Sequence, residues 1–209
     1  LAKNNKILEF DGMWSSSLTD SATKGLPDNS SLSFSARISS LNDMMDVTTK
    51  PLVFDADNGG QIEHLPFLVR SLERSGASAI IMEDKVGLKK NSLFKNQTGT
   101  KQDKPKLFAK KIKKICTSRK SQDFMVIARI ESFIVGKGLK DALLRAEIYS
   151  KDLKNGTTEI IVIITEENKE TRAGKAPFFP PIIILNPAFL YSLSNTQEIA
   201  IKCGICQKN

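Results

Sequence analysis

The chain has 209 residues, 40% hydrophobic and 26% charged, the balance of a single soluble globular domain spanning 1–209 and not of a disordered chain. No apolar run approaches the ~18 residues of a membrane span, and LAKNNKILEFDG lacks the apolar centre of a signal peptide. Three cysteines, an odd number, argue against a disulfide framework and suit a reducing, cytoplasmic setting, and the lone His64 leaves no room for a His-based zinc centre or a Ser-His-Asp triad.

In chain order, the first apolar run lies around Met13-Trp14. SSSLTDSATKGLPDNSS (15–31) follows and reads as a loop rich in Ser, Asp, Gly and Pro. A second run, Pro51–Phe54, leads through DADNGG into a helix on which Ile62, Leu65, Leu68, Val69 and Leu72 share a face, with Gly76 placed to end it. A third run, Ser78–Met82, precedes KVGLKKNSLFKNQTGTKQD (85–103), a polar loop long enough to suggest a functional role. Residues 101–120 hold nine Lys or Arg and one Asp, which accounts for the whole net charge of +8. Phe108, Ile112, Ile115 and Cys116 fall on one helical stripe there, so the lysines form a wet helix face. No aromatic platform is interleaved with them, which argues against nucleic acid. A fourth run, Phe124–Ala128, precedes a helix over 138–150 with Leu139, Ala142, Leu143, Ala146 and Tyr149 on one side. Glu159–Ile164 and Pro181–Leu185 are the fifth and sixth runs, separated by the weakly patterned TEENKETRAGKAPFFP (165–180). Continuous apolar runs alternating with helices predict an α/β fold whose strands are buried on both faces of a parallel sheet.

The first four runs end in polar or charged residues: Trp14-Ser15-Ser16-Ser17, Asp55-Ala56-Asp57, Glu83-Asp84-Lys85 and Arg129-Ile130-Glu131. Strand periodicity points Asp55 and Asp57 to one face, and Arg129 and Glu131 likewise. Charged strand ends in succession describe the mouth of a barrel, where α/β active sites are built. Clustered carboxylates (Asp55, Asp57, Glu83) without His or Cys suit Mg²⁺. Arg129, Lys89 and Lys90 supply positive charge for a small anionic substrate.

FDGMWSSSLTDS, TTKPLVFDADNGG, ASAIIMEDKVGLKKNSLF and FMVIARIES, in that order between about Ile7 and Tyr149, resemble segments of the phosphoenolpyruvate mutase family, in the isocitrate lyase/phosphoenolpyruvate mutase superfamily. EDKVGLKKNSLF is the most specific piece. Superfamily C–C lyases carry KKCGH with a catalytic cysteine in that loop, and this loop has no cysteine. The resemblance implies a Mg²⁺-dependent (β/α)₈ TIM barrel that interconverts phosphoenolpyruvate and phosphonopyruvate. By position, Asp55 matches the main metal-binding aspartate, with Asp57 and Glu83 as outer carboxylates acting mostly through water. Trp14 and the Ser15-Ser16 backbone match the wall and amides that hold the substrate carboxylate, and Arg129 a phosphoryl and carboxylate clamp. Lys89 and Asn91 match residues of a gating loop (85–103), and Asp28 an aspartate acting near the phosphoryl group.

The chain departs from the family in two places. Thr165 stands near the position of a family histidine at the end of IIVIIT, and six strand runs are visible where a closed barrel has eight. An incomplete barrel is therefore expected, with a homo-oligomer implied for a full-length chain. Phosphonopyruvate hydrolase, of the same fold, and an inactive remnant that acts as a binding protein are the competing readings. Cys203-Gly204-Ile205-Cys206 is a lone CxxC and reads as small apolar residues near a helix end, His64 as a helix-flank residue, and Gly59-Gly60 as a backbone bend.

Overall fold

The computed structural model describes residues 10–87, 89–90 and 99–150 with their side chains, and residues 2–3, 6–7, 151, 160–165 and 182–185 as backbone. Asn91, most of 165–180 and the Cys203/Cys206 pair lie outside the described residues. The elements run β1 (Ala2–Lys3), β2 (Lys6–Ile7), β3 (Met13–Ser15), α1 (Ser17–Thr23), α2 (Phe34–Met45), β4 (Leu52–Asp55), a 3₁₀ turn (Ile62–His64), α3 (Leu65–Arg74) and β5 (Ala79–Glu83). They continue through β6 (Lys85–Val86), β7 (Lys101–Gln102), α4 (Pro105–Ser118), β8 (Met125–Ile130), α5 (Gly138–Lys151), β9 (Ile160–Thr165) and β10 (Ile182–Leu185).

One six-stranded sheet has the order β10-β9-β8-β5-β4-β3. From β3 to β9 every pairing is parallel, with Asp55 opposite Ile81 and Glu83 opposite Arg129. Each of the six apolar runs is thus a strand. The sixth departs from the all-parallel expectation: β10 pairs antiparallel with β9, Ile182 opposite Thr165. An apolar run such as IIIL marks a buried strand but carries no direction, so composition leaves this choice open. β1 and β2 pair antiparallel as a separate two-stranded ladder.

Strand alternation divides the core. Leu52, Phe54, Ile80, Met82, Val126, Ala128 and Ile130 pack with the buried faces of α3, α4 and α5. Val53, Ala79, Ile81 and Ile127 form a second cluster on the opposite, inner face. α3 buries Leu65, Leu68, Val69 and Leu72, and α4 buries Phe108, Ala109, Ile112 and Ile115, the stripes expected for each. Pro66 lies in the first turn of α3, where its missing N–H is tolerated, and Gly76 follows its end at φ 79°. His64 is exposed at the N-terminus of α3.

Two expectations need correction. The 15–31 segment is not all loop, because α1 occupies its first half, and α2 follows where no helix was expected. α1 buries Ser17, Asp20 and Ser21, and α2 buries Arg37 and Leu41. The polar buried face of α1 leaves no apolar period to detect, whereas α2 sets Phe34, Ile38, Leu41 and Met45 at helical spacing against the core. The second correction concerns 85–103, whose two ends form the antiparallel β6–β7 ladder, Lys85 opposite Gln102.

Asp84 turns to the helix layer and organises a buried polar hub. Its carboxylate accepts from Tyr149 Oη (2.7 Å), Arg145 NH1 (3.1 Å), Gln102 Nε2 (3.1 Å) and the Glu131 N–H (3.0 Å). Arg145 also donates to Asp141 at 2.7 Å. The hub joins the end of β5, β7 and α5, and its charged groups are paired, as their burial requires, while the Gln102 Oε1 is buried without a partner among the described residues.

Candidate active site

The inner face is apolar at its floor and charged at its C-terminal rim. Asp55, Glu83 and Arg129 each stand two residues beyond an inner apolar residue: Val53, Ile81 and Ile127 respectively. The same alternation that buries those three carries the next side chains onto the same face, at the strand ends.

Two ion clusters occupy the rim. In the first, Arg129 donates through Nε to Glu131 Oε1 at 2.7 Å and through NH2 to Glu83. Its NH1 lies 3.9 Å from Asp55 Oδ2. Lys85 Nζ sits 3.6 Å from Glu83 Oε1 and 3.5 Å from Glu131 Oε2. In the second, Lys89 Nζ reaches Asp57 Oδ1 at 2.5 Å and Asp28 Oδ1 at 2.6 Å, and donates to Ser17 Oγ. Ser17 Oγ in turn lies 3.4 Å from Asp55 Oδ2, so Asp55 links the two clusters. Lys89 and Asp28 are 61 positions apart in sequence and Lys89 and Asp57 are 32 apart. Only the fold brings these three together.

The electrostatics follow from burial. Desolvation is the largest influence on Glu83 and pushes its carboxyl up to about 7; Arg129 opposes the shift, and Glu131 adds to it. Burial works against the charge on Lys89, but Asp57 and Asp55 outweigh it and hold the ammonium above the ordinary lysine range. Arg129 behaves likewise: burial opposes its charge, and Glu83, Glu131 and Asp55 stabilise it.

The backbone of the aspartate turn is unusual. Asp57 adopts φ 51°, rare for a residue with a side chain, and its N–H donates to Asp55 Oδ1 at 3.0 Å. Gly59 at φ 76° lies against Met82, and a Cβ there would run into the methionine sulfur. That glycine is a packing requirement, in keeping with the bend expected of Gly59-Gly60. Lys111 of α4 donates to the Asn58 carbonyl at 2.9 Å and secures the turn from outside.

The remaining assigned residues divide. Trp14 stands opposite Val53 in the register, on the inner face, and is 42% exposed, available as a wall. Ser15 is buried with its hydroxyl donating to Asp20 at 3.2 Å. Ser16 has extended backbone at the N-cap of α1. Asn91 lies outside the described residues. Sequence reading missed Arg37, Asp20 and Ser17, which support the site from α1 and α2. No residue period flags them.

Donor chemistry at the rim suits Mg²⁺: three buried carboxylates, Asp55, Asp57 and Glu83, supply hard oxygen donors at one strand-end rim. Among the described residues, no group of three acidic, His or Cys side chains is close enough to enclose a metal ion. Mg²⁺ is ordinarily held by one or two carboxylates with waters and substrate oxygens, and the rim offers that kind of site. No helix among the described residues is long and apolar enough to cross a membrane.

Comparison with known proteins agrees with this architecture. The family model described as Phosphoenolpyruvate phosphomutase matches residues 2–202. Phosphoenolpyruvate phosphomutase of Tetrahymena pyriformis is 37% identical over 142 residues, 67% of this chain and 47% of that protein. The crystal structure of phosphoenolpyruvate phosphomutase from Streptomyces platensis subsp. rosaceus superposes with TM-score 0.66 at 34% identity, covering 73% of this chain and 52% of the other. A phosphonopyruvate hydrolase in complex with oxalate and Mg²⁺ superposes with TM-score 0.63 at 30% identity, covering 82% of this chain and 58% of the other. The chain spans about half the length of the curated relatives it matches. The parallel sheet with its rim of charges is thus a portion of a (β/α)₈ barrel, and the chain belongs to the phosphoenolpyruvate phosphomutase family.

Proposed function

We propose that the protein interconverts phosphoenolpyruvate and phosphonopyruvate at the rim of this sheet, by Mg²⁺-dependent transfer of the phosphoryl group within one substrate molecule. The observation that carries the reading is the convergence of Lys89, Asp28, Asp57, Asp55 and Arg129 at one strand-end rim. In the phosphonopyruvate-to-phosphoenolpyruvate direction the C–P bond breaks and its electron pair stays on the carbon side as the pyruvate enolate. The enolate oxygen then takes the phosphoryl group, and no proton is gained or lost. Such transfer needs positioning and charge neutralisation more than covalent help.

Asp55 would hold the metal directly, with Asp57 and Glu83 acting through water. When bound, Mg²⁺ supplies positive charge to the enolate and carboxylate oxygens. Arg129 clamps the phosphoryl and carboxylate oxygens. Its present partners, Glu83 and Glu131, hold the guanidinium in place for that. Lys89 neutralises the phosphoryl oxygens in flight, with Asp28 steering it. Trp14 flanks the flat enolate, and the Ser15-Ser16 backbone receives the carboxylate. Segment 85–103, with Asn91 in it, serves as the cover that keeps water from the enolate and so separates mutase from hydrolase chemistry.

Phosphorus NMR of phosphonopyruvate with the protein and Mg²⁺ tests the proposal. New phosphoenolpyruvate supports it, inorganic phosphate alone points to the hydrolase that the 30%-identical structure represents, and an unchanged spectrum removes both. Asp55→Ala should abolish turnover; retained activity would overturn the metal assignment.

A further inference from the structure

Arg37 is the largest fully buried side chain in the described structure. It lies on α2, outside the residues assigned above, and every contact it makes points at the back of the rim. Its Nε donates to Asp20 Oδ2 at 2.8 Å. Its NH1 donates to the Asp55 carbonyl and stands 3.9 Å from Asp57 Oδ2. Its NH2 donates to the Ser15 carbonyl at 3.2 Å. The guanidinium lies 4.4 Å over the Phe54 ring. Asp20 is itself buried and also accepts from the Ser15 hydroxyl at 3.2 Å.

Ser15 and Asp55 end β3 and β4, where ladder bonding stops and backbone carbonyls need other partners. One guanidinium satisfies both, because its planar fork presents several donors in fixed directions, which a lysine ammonium cannot reproduce. The same group faces Asp57, the residue held at φ 51°. A sparsely populated backbone conformation persists only where its surroundings over-determine it. Those surroundings are Arg37, the Asp57-to-Asp55 hydrogen bond, the Glu83 N–H that donates to the Asp57 carbonyl at 2.7 Å, and Lys89.

We infer that Arg37, held by Asp20, is a positioning residue that fixes the Asp55-Ala56-Asp57 turn against the end of β3 and thereby sets the affinity of the rim for a divalent cation. The inference rests on the metal reading given above. A merely structural ion pair would leave cation affinity alone whatever it did for folding, and replacing both charges by apolar residues avoids stranding either one in the interior.

Mn²⁺, a paramagnetic substitute for Mg²⁺, makes binding directly readable by electron paramagnetic resonance without any turnover. Three proteins are titrated: wild type, Asp55→Ala, and the double variant Asp20→Leu/Arg37→Met, which removes both charges together. The expected result is binding by wild type, loss in Asp55→Ala, and an affinity lowered about tenfold or more in the double variant, the size seen when residues that orient metal ligands are removed. The double variant strands no charge but leaves the Ser15 and Asp55 carbonyls without their donor, so its thermal midpoint should fall less than that of Arg37→Ala. Unchanged Mn²⁺ affinity in a folded double variant overturns the inference while leaving the metal reading standing. Absence of Mn²⁺ binding by wild type overturns both. Should the double variant not fold, Arg37→Lys carries the test, because it keeps the charge and most of the volume but loses the fork. Weakened binding supports the inference, and wild-type affinity ends it.

Discussion

α4 and α2 belong to the same layer of the same fold and both pack apolar side chains on its core, yet only α2 buries a charge there. α4 buries Phe108, Ala109, Ile112 and Ile115 under a lysine-covered face. α2 packs Phe34, Ile38, Leu41, Met44 and Met45 on the core and adds a buried arginine that answers to Asp20, Asp55 and Ser15. Apolar burial is non-directional, so α4 is held firmly whatever lies at the rim. An ion pair with fixed hydrogen bonds is directional, so α2 is held in one orientation and passes that orientation to the aspartate turn. Both helices reach the aspartate turn, α4 from outside through Lys111 and α2 from behind through a fully buried guanidinium.

The sharpest way to break this contrast is Arg37→Ala alone. It leaves Asp20 buried without its cation and two carbonyls without a donor, and should lower unfolding stability by about 3–5 kcal/mol in urea titration. A loss below about 1 kcal/mol would mean that water replaces the guanidinium and that α2 is not held by charge. Next in size is Ile112→Ala in the wholly buried seam of α4, expected to lose about 2–5 kcal/mol by cavity formation while leaving Mn²⁺ affinity at the rim unchanged. The two substitutions together separate stability from site geometry.

Glu83 offers a pH-dependent version of the same comparison. Burial is the chief influence that pushes its folded carboxyl up to about 7, from an ordinary 4.5. The folded state therefore binds more protons than the unfolded state between those limits. The contribution of Glu83 is fully favourable below about 4.5 and is lost as pH rises through 7. Metal-free wild type should lose stability relative to Glu83→Gln across that window, by up to a few kcal/mol; parallel pH profiles for the two proteins would refute the shift.

Tyr149→Phe is smaller. It removes one of several donors to Asp84 and should lose about 1–2 kcal/mol, measured by thermal unfolding. The smallest effect belongs to the wet face of α4: Lys113→Ala should stay within about 0.5 kcal/mol.

How much of this was legible in the sequence follows from the same contrast. α3, α4, α5 and the strands could be read because their buried faces are apolar and repeat at 3.6 or 2 residues. α1 was invisible because SLTDSAT buries Ser and Asp, whereas α2 has a legible stripe in Phe34, Ile38, Leu41 and Met45 and hides only its buried Arg37. At the rim, Asp55, Asp57, Glu83 and Arg129 could be named from their positions at strand ends, and Asp28, Lys89 and Trp14 from family resemblance. That Lys89 would meet both Asp28 and Asp57, or that Asp84 would turn away from its neighbour Glu83 into a Tyr149–Arg145 hub, could not.

The linear chain by itself determined which segments are buried strands, which helices carry apolar seams, and that carboxylates and cations collect at one end of the sheet. Those properties are written in local periodicity, which survives in any window of a dozen residues. Tertiary structure alone decided that β10 runs against β9, that Asp55 joins the two ion clusters, and that Arg37 stands behind the aspartate turn. These depend on contacts between residues far apart in sequence, whose energies arise only once desolvation and geometry are set together.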